Sequence, residues 1–230
     1  MRKFIDNTFL KTSQELGISE INLKTKVQVF ITESIEIGFK CIVVRPHFLQ
    51  SAFNIKNKYK STIKIATVIN FPHGTDSLDL ILKQLNDSKN HADEMDIVVD
   101  YNSFKYNDFK RFDSVIELCS KFCLRNQKVV KWIIETGALS KEEIKNISQR
   151  IESIITSQYT ALISSSFIKT STGYYSEYGA NLNDIKIIKN SIKKMKIKAS
   201  GGIKTKDFAL KLIEQGCDRI GTSSGVDMIK

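Results

Sequence analysis

Regular alternation between short apolar segments and longer segments of helical periodicity is the feature that most constrains the fold of this chain. Eight short segments have the composition of strands, at 4–6, 41–44, 63–69, 95–99, 129–135, 162–168, 197–199 and 219–222. Helices are predicted between them at about 20–37, 76–90, 108–124, 141–157, 181–194 and 205–215, with a shorter one after Pro46. Alternation of this kind predicts a parallel sheet with helices outside it.

Eight strand–helix units in 230 residues favour a single (β/α)₈ TIM barrel spanning residues 1–230. An open doubly wound sheet is the alternative, but no G-x-G-x-x-G sequence follows the first predicted strand. Ser140, followed by Glu142 and Glu143, is a good helix start, and Gly216 is a suitable helix end. In a barrel of this type the chemistry lies at the C-terminal ends of the strands.

The net charge of +10 raises the question of a nucleic-acid partner. Only six of the 35 basic residues are arginine, however, and proteins that grip phosphates and bases tend to use the arginine fork as well. The lysines are dispersed and mixed with acidic residues, so we expect no nucleic-acid partner. No apolar run approaches the roughly 20 residues that span a bilayer, and no signal peptide is evident. We therefore expect a cytoplasmic protein that does not associate with membranes.

Cysteine and histidine are too few and too scattered to predict a disulfide or a metal site. Cys119 and Cys123 lie four residues apart on a predicted helix and are interpreted as small buried hydrophobes. His47, His73 and His91 fall in unrelated loops, which disfavours a metal-dependent enzyme. We predict neither a metal nor another cofactor.

Two lysines on neighbouring predicted strands are the strongest catalytic candidates. Lys169 stands where a strand gives way to the polar loop 170–173, and Lys198 lies in the next strand. A strand-ending lysine more commonly extends into solvent. If Lys198 points into the barrel, however, it lies close to Lys169. Charge repulsion and burial both lower a lysine pKa, which supplies the neutral amine that attacks a carbonyl group.

Asp96 is the third candidate, because a carboxylate that enters an apolar strand is costly unless it meets a cation or hydrogen-bond donors. A solvated position at the start of that strand is the alternative. Two glycine- and hydroxyl-rich segments, 201–205 and 221–225, follow the seventh and eighth strands. Barrels commonly bind phosphate there through backbone amides and hydroxyl groups. Each segment alone is a weak signal, and their pairing indicates a phosphate site.

Together these segments resemble the deoxyribose-phosphate aldolase family along nearly the whole chain. The matching stretches are 5–8, 68–74, 92–96, 131–137, 167–173, 197–203 and 218–225. FIKTSTG and KASGG, in this order and spacing, are the most specific of them. The resemblance implies a barrel enzyme that reversibly cleaves 2-deoxy-D-ribose 5-phosphate to acetaldehyde and D-glyceraldehyde 3-phosphate through a lysine Schiff base, without a metal.

The resemblance also implies roles for individual residues. Lys169 would form the Schiff base, Lys198 would lower the pKa of Lys169, and Asp96 would help to relay protons. The phosphorylated sugar would be bound by residues of the opening motif and the glycine- and hydroxyl-rich loops, namely Asp6, Thr172, Gly173, Gly202, Ile203, Ser223 and Ser224. A homodimer is the assembly expected of such barrels.

Three positions depart from the pattern of the family: Asn7, Val43 and Lys204 stand where a histidine, a cysteine and an arginine are common. The sequence ends at Lys230 without the terminal tyrosine that aids proton transfer in some members, so a different turnover is expected. Two alternatives stay open. One is another Schiff-base aldolase on the same barrel, which the choice of acetaldehyde as donor would distinguish. The other is a non-catalytic barrel that binds phosphate or nucleic acid.

Overall fold

Short strands that are buried along almost their entire length line the centre of the molecule, as in parallel sheets covered by helices. The computed structural model describes residues 1–175 and 178–229. Each strand pairs in parallel with the next, and the last closes on the first. The strands are β1 (Ile5–Phe9), β2 (Cys41–Val44), β3 (Lys64–Ile69), β4 (Glu94–Val98), β5 (Val129–Ile133), β6 (Ser166–Lys169), β7 (Lys196–Ser200) and β8 (Arg219–Thr222). The predicted (β/α)₈ TIM barrel is confirmed.

Helices surround the barrel and bury their apolar faces against the strands. They are α1 (Ser13–Leu16), α2 (Glu20–Ile37), α3 (Leu49–Lys58), α4 (Leu78–Ser88), α5 (Tyr101–Lys105), α6 (Phe109–Arg125), α7 (Lys141–Gln158), α8 (Leu182–Ser191), α9 (Lys206–Glu214) and α10 (Gly225–Ile229). Ser140 caps α7 in a reciprocal arrangement with Glu143, as its sequence predicts. No helix among the residues described has both the length and the apolar character that a bilayer crossing requires.

The structure differs from the predicted elements in a few places. The sixth strand begins only at Ser166, because Thr160–Ser165 forms a 3₁₀ helix. The fifth ends at Ile133, and Glu135 beyond it takes a left-handed backbone conformation. Helices α1, α5 and α10 were not predicted, since four or five residues are too few to show helical periodicity.

Strand register determines which polar side chains meet inside the barrel. Lys169 of β6 lies beside Lys198 of β7, and Lys198 lies beside Arg219 of β8. On the other side, Asp96 of β4 lies beside Lys131 of β5. A small apolar cluster fills the neighbouring part of the interior, formed by Leu10, Cys41, Val43, Ala66 and Val68. The interior is therefore ionic on one side and apolar on the other.

Candidate active site

Charged side chains of both signs meet inside the barrel, and Asp96 lies at the centre of them. The carboxylate oxygen Oδ2 of Asp96 accepts hydrogen bonds from Lys169 Nζ at 2.8 Å and from Lys198 Nζ at 2.7 Å. Its other oxygen, Oδ1, accepts from Lys131 Nζ at 2.7 Å. Asp96 is fully buried, and these three cations hold its pKa well below the usual range although burial opposes that shift. The structure thus brings the three predicted catalytic residues together.

A second row of charges lies deeper in the barrel. Asp6 Oδ2 is 2.7 Å from Lys198 Nζ, and Asp6 Oδ1 accepts a 2.6 Å hydrogen bond from Arg219 Nε. Glu94 contacts Lys131 Nζ at 2.6 Å and Arg219 Nη2 at 3.3 Å. Burial would raise the pKa of Asp6, but the charges of Lys198, Arg219 and Lys131 lower it to about 2. Asp6 is fully buried, so the structure places it beneath the pocket within this ionic network rather than on the substrate surface.

Lys169 is the cation of this network that reaches the pocket. Burial lowers its pKa, the charge of Asp96 opposes that effect, and Lys198 and Lys131 lower the pKa further, to about 8. The balance of charges gives the same direction. Three carboxylates, on Asp6, Glu94 and Asp96, face three cations besides Lys169, namely Lys131, Lys198 and Arg219. The cluster is therefore neutral when Lys169 carries no proton, and the amine is available as a nucleophile near neutral pH.

Above the ionic network lies a pocket of about 430 Å³ at the C-terminal ends of the strands. The side chain of Lys169 lines the floor of this pocket, and Tyr174 forms part of its wall. The ring of Tyr174 packs edge-on against Phe71 at 5.3 Å, and its hydroxyl donates to the carbonyl oxygen of Leu10 at 2.9 Å. Five of the predicted substrate-binding residues line this pocket: Thr172, Gly173, Gly202, Ile203 and Ser223.

Backbone amides on the pocket wall are free to bind an anion. Among the described residues, no hydrogen-bond acceptor engages the N–H groups of Gly173, Gly202, Ile203 and Ser223. Gly202 has a φ of 68°, which a residue with a side chain rarely adopts. Ser224 differs, since it does not line the pocket and its N–H donates to Thr222 Oγ1 at 2.9 Å. The free amides form a cradle of the kind that binds phosphate.

Close packing at Gly221 allows Lys198 to occupy its position. A β-carbon on Gly221 would lie 2.9 Å from Lys198 Cε and 3.0 Å from Ser200 Cβ. Lys198 cannot move aside without loss, because its amino group is bound between Asp96 and Asp6. Gly221, which belongs to the predicted phosphate segment 221–225, therefore leaves room for the lysine.

Four polar residues of the site were not among the predicted ones: Lys131, Arg219, Glu94 and Glu135. Lys131 and Glu135 belong to a stretch, 131–137, that matches the family, and Glu94 belongs to another, 92–96. That match was the available signal, since strand alternation alone does not show which face is inside. The carboxylates of Asp6 and Glu94 also approach the thiol of Cys41 closely enough to hold a metal ion. Lys131 and Arg219 already bind these carboxylates, so we assign no metal to this cluster.

Comparison with known proteins gives matches along almost the entire chain. The model of the DeoC/LacD family aldolase matches residues 6–230. The deoxyribose-phosphate aldolase of Aquifex aeolicus (strain VF5) is 34% identical over 231 residues, which cover 99% of this chain and 94% of the relative. That of Acholeplasma laidlawii (strain PG-8A) is 36% identical, covering 100% of this chain and 95% of the relative. The solved structure of QR15, an aldolase, is 33% identical with a TM-score of 0.81, covering 99% of this chain and 93% of that one.

Proposed function

The chain belongs to the DeoC/LacD aldolase family, and we propose that it is a deoxyribose-phosphate aldolase that forms its Schiff base on Lys169. The substrate would be 2-deoxy-D-ribose 5-phosphate, cleaved reversibly to acetaldehyde and D-glyceraldehyde 3-phosphate. The observation that carries this proposal is the position of Lys169, a buried lysine with a pKa of about 8 at the base of a pocket whose wall presents free amides.

The reaction begins when the neutral Nζ of Lys169 attacks the aldehyde carbon of the open-chain sugar. Loss of water gives an imine, which is protonated on nitrogen and draws electrons from the neighbouring carbon. Removal of the proton from the C3 hydroxyl breaks the C2–C3 bond, and the electron pair of that bond forms an enamine. Glyceraldehyde 3-phosphate leaves at this stage. Protonation of the enamine carbon and addition of water then release acetaldehyde and regenerate Lys169.

Asp96 and Lys198 would handle the protons that these steps release and require. Lys198 is a cation here and donates to the same oxygen of Asp96 as Lys169 does, so a proton can pass from Lys198 through Asp96 to Lys169. Asp6 and Lys131 keep the charges of this row balanced. Since these groups are fixed by hydrogen bonds before substrate arrives, they need little reorganisation during reaction.

The phosphate group of the substrate would lie in the cradle of free amides. Gly173, Gly202, Ile203 and Ser223 supply backbone N–H donors, and Ser223 adds a hydroxyl group. Lys204 also lines the pocket and brings a positive charge to this end of it. Amides and a lysine together favour an anion at this end of the pocket.

We place this reaction in the cytoplasm, because phosphorylated sugars are intracellular metabolites and the four cysteines are free thiols. The homodimer expected of such barrels stays a prediction, which size-exclusion chromatography with light scattering tests. All the residues of the proposed mechanism come from one chain.

Reductive trapping tests the proposed function directly. The protein is incubated with acetaldehyde and borohydride, and the modified residue is located by peptide mass spectrometry. We expect an ethyl group on Lys169 in the wild type and no such adduct in the Lys169→Met variant. The Lys196→Met variant, which changes the exposed end of β7, should be modified like the wild type. A parallel assay follows release of glyceraldehyde 3-phosphate from the sugar. A folded wild-type protein that gives no adduct with acetaldehyde but one with a ketone would indicate a different Schiff-base aldolase.

A further inference from the structure

Glu135 is a buried carboxylate that the mechanism above does not use. It stands just beyond β5, only 1% exposed, with a backbone φ of 55°. A left-handed conformation is unusual for a residue with a side chain and is maintained only when the surroundings impose it. Here the amides on both sides are fixed, because Ile134 N donates to Lys169 O at 3.0 Å and Thr136 N donates to Thr170 O at 2.9 Å. The backbone at Glu135 is thus tied to the loop that follows the Schiff-base lysine.

The carboxylate of Glu135 binds a single residue of that loop. Its Oε2 accepts a hydrogen bond from Thr172 N at 3.1 Å and a second, short one from the Thr172 hydroxyl. Its other oxygen, Oε1, is buried without a partner among the described residues. The Thr172 hydroxyl in turn accepts from Tyr174 N at 3.0 Å. Glu135 therefore determines the orientation of both polar groups of Thr172.

This orientation restricts what Thr172 can offer to a ligand. A threonine hydroxyl has one proton and two lone pairs. Its proton is donated to Glu135 and one lone pair is used by Tyr174 N, so the remaining lone pair can only accept. The Thr172 N–H is also engaged, whereas the N–H of Gly173 is free among the described residues. A phosphate oxygen needs a donor, and a sugar hydroxyl can supply one.

We propose that Glu135 is a positioning residue for the substrate: it holds the Thr172 hydroxyl as an acceptor for a hydroxyl of the sugar and leaves the phosphate to Gly173 and the other free amides. This inference rests on the proposed function and refines the role of Thr172 in it. Thr172 lies three residues after Lys169 in the chain, and both line the same pocket. The carboxylate thereby aligns the sugar relative to the Schiff-base lysine.

Substitutions at Glu135 test the positioning role with two readouts. Glu135→Ala should raise the KM for deoxyribose 5-phosphate about tenfold or more, because Thr172 loses its anchor. Trapping of acetaldehyde on Lys169 should stay within about threefold of wild type, since acetaldehyde has neither hydroxyl nor phosphate. Glu135→Gln keeps a side-chain oxygen that can accept from both the N–H and the hydroxyl of Thr172, so its KM should lie within about threefold of the wild-type value. An unchanged KM in Glu135→Ala, or equal losses in both readouts, would overturn the proposal.

Glu152 supplies the matched control. Its carboxylate also accepts backbone N–H groups, from Lys193, Lys194 and Met195, but at the opposite end of the barrel, before β7. Glu152→Ala should lower stability without changing the KM. If the wild type itself traps no aldehyde, the proposed function fails, and that result is distinct from any result at Glu135.

Thr172→Val provides a second test that does not depend on the folding of Glu135→Ala. The variant retains the shape of the side chain and removes the hydroxyl. We expect kcat/KM to fall by the same factor, about tenfold, on deoxyribose 5-phosphate and on unphosphorylated deoxyribose, because the lost contact is to the sugar. A fall confined to the phosphorylated substrate would mean that Thr172 binds phosphate, and the proposal would be wrong.

Discussion

Lys169 and Lys198 lie side by side on paired strands, and their Nζ atoms are 2.8 and 2.7 Å from the same oxygen, Oδ2 of Asp96. One carboxylate oxygen cannot fully compensate two buried ammonium groups. Lys198 has a second carboxylate, Asp6, at 2.7 Å, whereas Lys169 has no further one within ion-pair distance among the residues described. Lys169 therefore gives up its proton more readily, which is the state that carbonyl attack requires.

Removing the charge of Lys198 should raise the pKa of Lys169. In Lys198→Met the three carboxylates of the cluster outnumber the two cations that remain besides Lys169, so the protonated form of Lys169 gains stability. The limb of kcat/KM that rises with pH, set by a pKa of about 8 in the wild type, should move to higher pH. We expect at least a tenfold loss at neutral pH, on the order of one pKa unit. An unaltered pH profile would contradict this role.

Lys196→Met is the control for that experiment. Lys196 lies two residues earlier on β7, but its side chain is exposed and donates to Ser164 O at 2.7 Å. Its replacement changes the net charge by the same amount as Lys198→Met does. The pH profile should remain that of the wild type, because the lost charge lies in solvent.

Neutralising Asp96 should have the opposite effect on the same pKa. Asp96 raises the pKa of Lys169 by its charge and by its hydrogen bond, so Asp96→Asn should move the pH profile of acetaldehyde trapping to lower pH. Turnover should nevertheless fall, since the proton relay is broken. Leaving Lys131 and Lys198 with fewer buried partners should cost about 3 kcal/mol of unfolding free energy. A profile that moves to higher pH would show that Asp96 does not stabilise protonated Lys169.

Asp93→Asn is a suitable comparison for Asp96→Asn. Asp93 also binds a lysine, Lys56, at 3.0 Å, and accepts Ile65 N at 2.9 Å. It precedes β4 and so lies at the opposite end of the barrel from the pocket. We expect a loss of stability in urea unfolding and an unchanged pH profile of trapping.

The elements that the sequence predicted best are those whose apolar runs have clear limits. β2 (Cys41–Val44), β8 (Arg219–Thr222) and α2 (Glu20–Ile37) lie at the predicted residues. In each case a polar residue or a glycine flanks the apolar run on at least one side, so local composition decides where the element ends. The sixth strand was predicted too long because Leu162 and Ile163 are apolar, yet they belong to a 3₁₀ helix whose position depends on packing.

The ionic network could be predicted only in part. Lys169 and Lys198 were found because both stand near the ends of neighbouring strands, where chemistry is expected. Arg219 was not, since its partner Asp6 is 213 positions away and the two meet only because β8 closes on β1. The conformation of Glu135 depends on hydrogen bonds of its neighbours to the next strand and loop, which no local pattern encodes.

Gly221→Ala should reduce activity more than stability. The added β-carbon would press on Lys198 Cε at 2.9 Å and Ser200 Cβ at 3.0 Å, and overpacking of this kind costs about 1–3 kcal/mol. Displacing Lys198 should lower kcat at least about tenfold. Gly216→Ala is the comparison, because its φ of 114° is strained for alanine but the site is distant. Gly216→Ala should lower the stability and leave kcat unchanged. Equal kcat values for the two variants would contradict the steric argument.

Acid should destabilise the barrel through Asp6. The pKa of this carboxyl is lowered from 3.8 to about 2 in the folded protein, so its stabilising effect is complete above pH 3.8 and is lost as the pH falls through about 2. The difference corresponds to about 2 kcal/mol. Unfolding free energies from urea titrations between about pH 5 and pH 2 should fall more steeply in the wild type than in Asp6→Asn. Asp113→Asn breaks a partly exposed ion pair with Arg150 and should keep the pH dependence of the wild-type unfolding free energy. If Asp6→Asn shows that same wild-type pH dependence, other carboxyl groups cause the acid sensitivity.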